Sequence, residues 1–281
     1  MRSSSSRTLL FVAFAAAASS FRTTTGVHSF TPALPSSTLK SSSSVIFAKK
    51  ESSADSSGKE KTTTSTSSPQ ALFDTPGWPP IKQDLDKVPL FTVATKEGHP
   101  LAYTIETAQD ESYPVPFFYC DIDVAQKELE QSIQVMKETS TDDNSAEGLG
   151  LIPFPLGQAF ELWANDKAVI VPSKTEIQHA GAPPSVNPIG QQIPMFACMD
   201  IMEERADDGK GVLPLFMELQ DAQGALKEAV EADGGSIDEF EIVSLSLNRA
   251  VELLATVPDT PAFHFIPPSR SIQFIEEYLE G

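Results

Sequence analysis

The sequence predicts an α/β protein, arranged in α+β layers, in which a unit of short strands and packed helices occurs twice as two pseudo-symmetric halves. Three observations predict this fold class. Four motifs recur in the same order about a hundred residues apart. Short runs rich in β-branched and aromatic residues alternate with amphipathic helical patterns. Residues 1–70 contain neither pattern, so the fold is expected to begin after them.

The N-terminus has the composition of a secretory signal peptide. Arg2 and Arg7 precede an apolar run from Thr8 to Ser20 that is too short for a permanent membrane-spanning helix. The small residue Ser29 precedes Phe30, and cleavage between the two is predicted. We therefore interpret residues 1–29 as a signal peptide.

Residues 30–70 are predicted to be a transit-like segment followed by a disordered linker. The stretch 30–50 is rich in Ser and Thr and has no acidic residue, which is typical of transit peptides. A signal peptide joined to such a segment beginning with Phe30 resembles the bipartite presequence of diatom-type complex plastids. An ordinary secreted protein with a disordered Ser-rich arm is the alternative.

The remainder of the chain is strongly acidic. Beyond residue 50 there are 14 Lys and Arg residues against 39 Asp and Glu residues, a net charge of −25. Such a surface argues against nucleic-acid binding and against docking on an anionic membrane by charge. No apolar stretch of this part is long enough for an integral membrane span. Two cysteines are too few for a disulfide framework.

The internal repeat divides the folded part into two halves, predicted to be residues 71–182 and 183–281. The four recurring motifs pair Val88–Phe91 with Ile193–Phe196, Val115–Phe118 with Leu213–Phe216, Leu156–Leu162 with Leu247–Leu253, and Val169–Pro172 with His264–Pro267.

Each half is expected to contain buried strands and amphipathic helices. In the first half, strands are predicted at 88–94, 115–120, 149–154 and 168–171. Helical spacing begins near Ile122, Leu156, Leu219 and Leu247. Ser173 and Glu176 form a capping-box pattern, and Ile272 and Ile275 lie on the apolar face of a closing helix. The halves could share one sheet or form two lobes.

No constellation of catalytic residues is present, and we expect no enzymatic activity, no cofactor and no metal. Nucleophile-elbow, Gly-rich phosphate, HExxH and CxxC motifs are all missing from the sequence. The acidic pairs Asp142-Asp143 and Asp207-Asp208 are interpreted as solvated turns rather than metal ligands. Cys120 follows aromatic residues at a strand end before a helix, so a thioredoxin-like redox protein or enzyme using Cys120 is the alternative.

Several ordered motifs in residues 88–281 resemble the Tic22 family, which comprises a plastid inner-envelope translocon accessory and cyanobacterial periplasmic relatives. The motifs are VPLFTVATKEGHPLAY (88–103), VPFFYCDIDVAQKELEQ (115–131), IPFPLGQAFELW (152–163), AVIVPSKTEIQHA (168–180), IPMFACMDI (193–201), GVLPLFMELQDAQGALKEA (211–229) and FHFIPPS (263–269).

This resemblance implies a soluble, chaperone-like accessory of protein import, located between envelope membranes of a complex plastid. Its implied partners are plastid precursor proteins and envelope translocon subunits. The acidic surface would attract basic transit peptides, and apolar grooves between the two halves would hold unfolded segments. Two alternatives stay open: the acidity only maintains solubility, or the protein is an envelope scaffold that binds no client.

Overall fold

The computed structural model describes residues 9–11, 72–106, 112–139, 148–204, 209, 211–233, 235–256 and 263–280, and these form two mixed sheets with helices packed on them. The predicted fold class is confirmed. The two halves form separate sheets rather than one shared sheet.

The first sheet has five strands in the order β3-β4-β2-β5, with β6 beside β4. All of its pairings are antiparallel except that of β4 with β6. Its strands and helices run along the chain as β2 (Pro89–Thr95), β3 (Ala102–Glu106), β4 (Ser112–Tyr119), α2 (Ile122–Thr139), β5 (Leu149–Pro155), α3 (Leu156–Ala164), β6 (Val169–Val171) and α4 (Lys174–His179), after a first helix α1 (Trp78–Leu85).

The second sheet repeats this arrangement. Its strand order is β8-β9-β7-β10, with β11 beside β9, and a three-residue strand β1 (Leu9–Phe11) lies parallel to β8. The elements follow in the same sequence, as β7 (Pro194–Cys198), β8 (Ile201–Glu204), β9 (Gly211–Phe216), α5 (Leu219–Asp233), a 3-10 turn (Ile237–Glu239), β10 (Ile242–Ser246), α6 (Leu247–Thr256), β11 (Phe263–Ile266) and α7 (Ser269–Glu280).

One of the four predicted motif pairs needs a shift of one residue. Tyr119 pairs with Phe91 in the first sheet, and Phe216 pairs with Phe196 in the second. Tyr119 and Phe216 are therefore equivalent, whereas the sequence match aligned Phe118 with Phe216. The side-chain period of a strand is two, so this shift decides which face each residue occupies.

The first helix was not predicted from the sequence. In α1, prolines occupy the first turn, where a missing backbone N–H is tolerated. Trp78, Ile81 and Leu85 are buried on one face of the helix. Two acidic side chains at the end of α1 contact both halves: Oδ1 of Asp86, the residue after the helix, accepts the backbone N–H of Gln158 at 3.1 Å, and Asp84 Oδ2 accepts that of Phe265 at 3.1 Å. The helix therefore ties the two halves together.

The inner faces of the two sheets share one hydrophobic core with α1, α3 and α6. Equivalent residues of the two halves belong to this core, including Val88 and Ile193, Leu156 and Leu247, and Ala159 and Ala250. The expectation of an open apolar groove between the halves is not met, because packed side chains from both halves occupy this space in the described part of the chain.

The outer faces are covered by different helices. On the first sheet, α2 and the closing helix α7 cover a cluster that includes Phe91 and Tyr119, and the rings of Phe91 and Phe274 meet edge to face at 5.5 Å. On the second sheet, α5 covers Phe196 and its neighbours. Because α7 belongs to the second half, its packing on the first sheet adds a further contact between the halves.

Candidate functional site

The predicted targeting cleavage site at Ser29 and Phe30 lies outside the described residues, as do the acidic pairs Asp142-Asp143 and Asp207-Asp208. Within the described residues, no group of three or more His, Cys, Asp and Glu side chains could hold a metal ion. No helix among them is both long enough and apolar enough to cross a membrane.

A polar seam joins the two halves at the ends of β4 and β9. A small pocket lies there, lined by Cys120, Ser173, Glu176, Ile193, Pro194, Met217, Glu218 and Pro268. A second small pocket lies between α3, β6 and Asn248 of α6. Each has a cavity volume of ≈ 10 Å³, about the space that one water molecule needs, so neither provides room for a small molecule or an unfolded peptide.

Glu176 is the most buried carboxylate of the seam, with 7% of its surface exposed. Its Oε2 atom accepts the backbone N–H of Leu219 at 2.8 Å and lies 3.2 Å from Nδ1 of His179. Glu176 belongs to the first half, and Leu219 begins a helix of the second half. The carboxylate therefore satisfies a helix-end donor that has no partner within its own helix.

The prediction that Ser173 and Glu176 form a capping box is wrong, because the Ser173 side chain makes no capping hydrogen bond to α4. The start of α4 is nevertheless where that pattern indicates. Oγ of Ser173 donates instead to Oδ2 of Asp121 at 3.2 Å, while Oδ1 of Asp121 accepts the backbone N–H of Asp123 at 2.9 Å. Ser173 thus positions the carboxylate that caps α2.

Glu218 occupies in the second half the place that Asp121 has in the first. The residue equivalent to Ser173 there is Pro268, which has no hydroxyl to donate. The pKa of Glu218 is raised to about 7, chiefly by burial and further by the neighbouring carboxylates of Asp221, Glu176 and Asp121, while Arg270 acts in the opposite direction. The seam is therefore sensitive to protonation near neutral pH.

Two side chains fix the beginning of α7. Arg270 makes a two-pronged ion pair with Asp123, in which Nη2 lies 2.7 Å from Oδ1. Asp221 accepts both the backbone N–H and the Oγ–H of Ser269 at 2.9 Å. The ion pair holds the closing helix of the second half against α2 of the first half, and the Asp221 bonds hold it against α5.

The structure does not favour redox chemistry at Cys120. The side chain is 4% exposed, and burial raises the pKa of the thiol, with a smaller contribution from Asp121. A thiol that ionises with difficulty and is shielded from solvent is a poor nucleophile. Cys198 is also buried, and burial raises its pKa. Both thiols behave as small core residues.

His264 and His179 each contact a carboxylate. His264 lies in β11, with Nδ1 3.0 Å from Oε2 of Glu203 in β8, and this contact raises the pKa of His264. His179 is the last residue of α4 and contacts Glu176 of the same helix. The His264 contact therefore connects two strands, whereas the His179 contact lies within one helix.

The comparisons with known proteins concern the fold. No protein-family model and no curated protein sequence matches the chain significantly. A solved structure of Anabaena Tic22, described as a protein of protein transport, superposes with a TM-score of 0.53 at 22% identity, covering 70% of this chain and 95% of that one.

A second solved structure, Tic22 from Plasmodium falciparum, gives a TM-score of 0.55 at 19% identity, covering 72% of this chain and 98% of that one. The matches span nearly the whole of both solved chains. At these identities the likeness concerns architecture. The chain has the fold of the Tic22 structures.

Proposed function

We propose that the chain belongs to the Tic22 family and is a soluble, non-enzymatic accessory of protein import across the envelope of a complex plastid. In this role it binds precursor proteins in transit and releases them chemically unchanged. The observation that carries the proposal is the likeness over 95–98% of two solved Tic22 chains, one of which is described as a protein of protein transport. The ordered motifs of residues 88–281 support it.

The charge of the chain supports binding of basic clients. The net charge beyond residue 50 is −25, and transit segments are basic and rich in hydroxyls. Opposite charges steer association over roughly one Debye length, about 8 Å at physiological ionic strength. Precursors would therefore approach the acidic exterior first.

The shared core supports a client-binding site on the outside of the protein rather than between the halves. The space between the halves is filled by packed side chains, and helices cover the outer faces of both sheets, so clients would contact exposed sheet edges and helix surfaces. Among the described residues, the large exposed apolar side chains are Met199, Ile237, Val243 and Tyr278.

Binding of a labelled transit peptide to the full chain tests the proposal. We expect reversible binding that weakens as salt rises from about 50 to 500 mM, because screening reduces the attraction between acidic protein and basic peptide. The matched control is a peptide of the same length in which acidic residues replace the basic ones. Absence of binding, or equal binding of both peptides, would contradict the proposal.

A further inference from the structure

Strands β5 and β10 are equivalent edge strands of the two sheets. Each pairs along one side, β5 with β2 and β10 with β7. Within the described residues, neither has a strand on its other side. An edge strand exposes a row of backbone groups that can pair with an extended segment of another chain.

Two hydrogen bonds determine which backbone groups point outward. The N–H of Leu156 donates to the Val88 carbonyl at 2.9 Å, and the N–H of Leu247 donates to the Ile193 carbonyl at 2.8 Å. In an antiparallel pair, inward-bonded residues alternate with residues whose N–H and C=O point away. The outward residues are Leu151, Pro153 and Pro155 in β5, and Ile242, Ser244 and Ser246 in β10.

The two edge strands therefore differ in the number of outward-pointing backbone N–H groups. Proline has no backbone N–H, so Pro153 and Pro155 remove outward donors from β5 and block strand addition there. At the equivalent positions of β10 the residues are Ser244 and Ser246, which keep their N–H groups. One half of the duplicated fold carries a blocked edge, and the other half carries an open one.

The surroundings of β10 indicate the chemistry of a partner. Val243, on the strand, and Ile237, in the preceding turn, are 37% and 45% exposed. The side chains of Asp238, Glu239 and Glu241 are also exposed, directly before the strand. A second copy of the chain would bring like charges together, whereas an extended segment with basic residues would complement them.

We propose that the outer edge of β10 binds extended, basic, hydroxyl-rich precursor segments by strand addition. This inference rests on the proposed function and assigns the place at which precursors bind. Backbone hydrogen bonds from Ile242 and Ser244 provide sequence-tolerant affinity, and the acidic residues before the strand select basic segments. Residues 36–50 of this chain, SSTLKSSSSVIFAKK, have the composition of such a segment.

Binding of a fluorescein-labelled peptide with the sequence of residues 36–50 to the full chain tests the inference. The variant Ser244→Pro removes the outward N–H without removing a bond to β7, and Pro153 shows that the equivalent position accepts proline. Ser244→Ala keeps the N–H and is the matched control. We expect at least about tenfold weaker binding for Ser244→Pro and a change within about twofold for Ser244→Ala.

Two further measurements are independent of how Ser244→Pro folds. A peptide N-methylated at alternate amides keeps its charge but cannot pair as a strand, and we expect it to bind at least about tenfold more weakly to the unaltered chain. The double variant Glu239→Gln/Glu241→Gln should weaken binding at low salt and reduce its salt dependence. Glu228→Gln/Glu231→Gln, on the exposed side of α5, should change neither.

The outcomes separate this inference from the proposed function. Unchanged affinity in Ser244→Pro together with equal binding of the N-methylated peptide would overturn strand addition while leaving precursor binding in place. No binding of any basic peptide to the unaltered chain would overturn both. A dimer of the unaltered chain that Ser244→Pro converts to a monomer would assign the edge to a second copy and overturn the inference.

Discussion

Glu176 of the first half accepts a hydrogen bond of 2.8 Å from the backbone N–H of Leu219, the first residue of α5 in the second half. The carboxylate is almost completely buried, so its interaction with the helix end is shielded from water. One side chain thus connects the two halves at the point where a helix begins. Together with the Arg270–Asp123 ion pair, this contact connects the two halves outside their shared core.

Replacement of Glu176 by Ala is expected to lower the free energy of unfolding by about 1–3 kcal/mol, because the N–H of the half-buried Leu219 loses its acceptor. Urea unfolding followed by circular dichroism measures the change. Glu176→Gln keeps an acceptor oxygen and should cost less. The exposed Glu231→Gln is the control and should stay within about 0.5 kcal/mol. A Glu176→Ala variant as stable as the unaltered chain would show that the contact does not connect the halves energetically.

Glu218 should make stability fall as pH rises toward and through neutrality. Its pKa in the folded protein is about 7, above its ordinary value of 4.5, chiefly because of burial. The folded state therefore binds the proton more tightly than the unfolded state between these values, and stability decreases across that window. Glu218→Gln should remove this component. The urea midpoint of Glu218→Gln minus that of the unaltered chain should be larger at pH 8 than at pH 5. The same difference at both pH values would contradict the raised pKa of Glu218.

His264 should titrate above its ordinary pKa because Glu203 favours the imidazolium. A raised pKa in the folded state means that the stabilisation is fully present below the unfolded pKa and is lost as pH rises through the folded value. In Glu203→Gln, NMR titration should show a lower pKa for His264 than in the unaltered chain. An unchanged titration curve would mean that the 3.0 Å contact does not set the charge of His264.

The first helix is expected to be essential for stability. Leu85 is fully buried in the core shared by the two halves, and Leu85→Ala should lower the free energy of unfolding by about 2–5 kcal/mol through loss of packing and formation of a cavity. Gln83→Ala, on the exposed side of the same helix, is the control and should be nearly neutral. Equal stability of the two variants would show that α1 is not part of the cooperative core.

The duplicated architecture could be predicted because both halves retain the same apolar motifs in the same order. Buried strands such as β2 and β7 are short apolar runs, and helices such as α2 have a regular apolar face. The spacing of apolar side chains along the sequence was therefore sufficient to predict most of the arrangement of helices and sheets in layers. The shared core was not predictable, since the same motifs are compatible with one sheet, with two lobes, or with a groove between them.

The errors have physical causes. The helix α1 begins Trp78-Pro79-Pro80, and prolines indicate a turn as readily as a first helical turn. The one-residue shift between Phe118 and Tyr119 arose because both are aromatic, so the motif alone could not fix the register. Ser173 and Glu176 have capping spacing, yet their side chains bond to residues 52 and 43 positions away in the chain. Such tertiary partners leave no signal in local sequence.

The proposed import role is tested most directly by where the full chain resides in a cell with a complex plastid. A C-terminal fluorescent tag on the full chain, compared with the same fusion carrying Phe30→Ala, measures this. Fluorescence in or around the plastid, displaced by the substitution, is the predicted result. Fluorescence of both fusions in the secretory lumen or the medium would contradict a plastid import function and leave only the Tic22 fold.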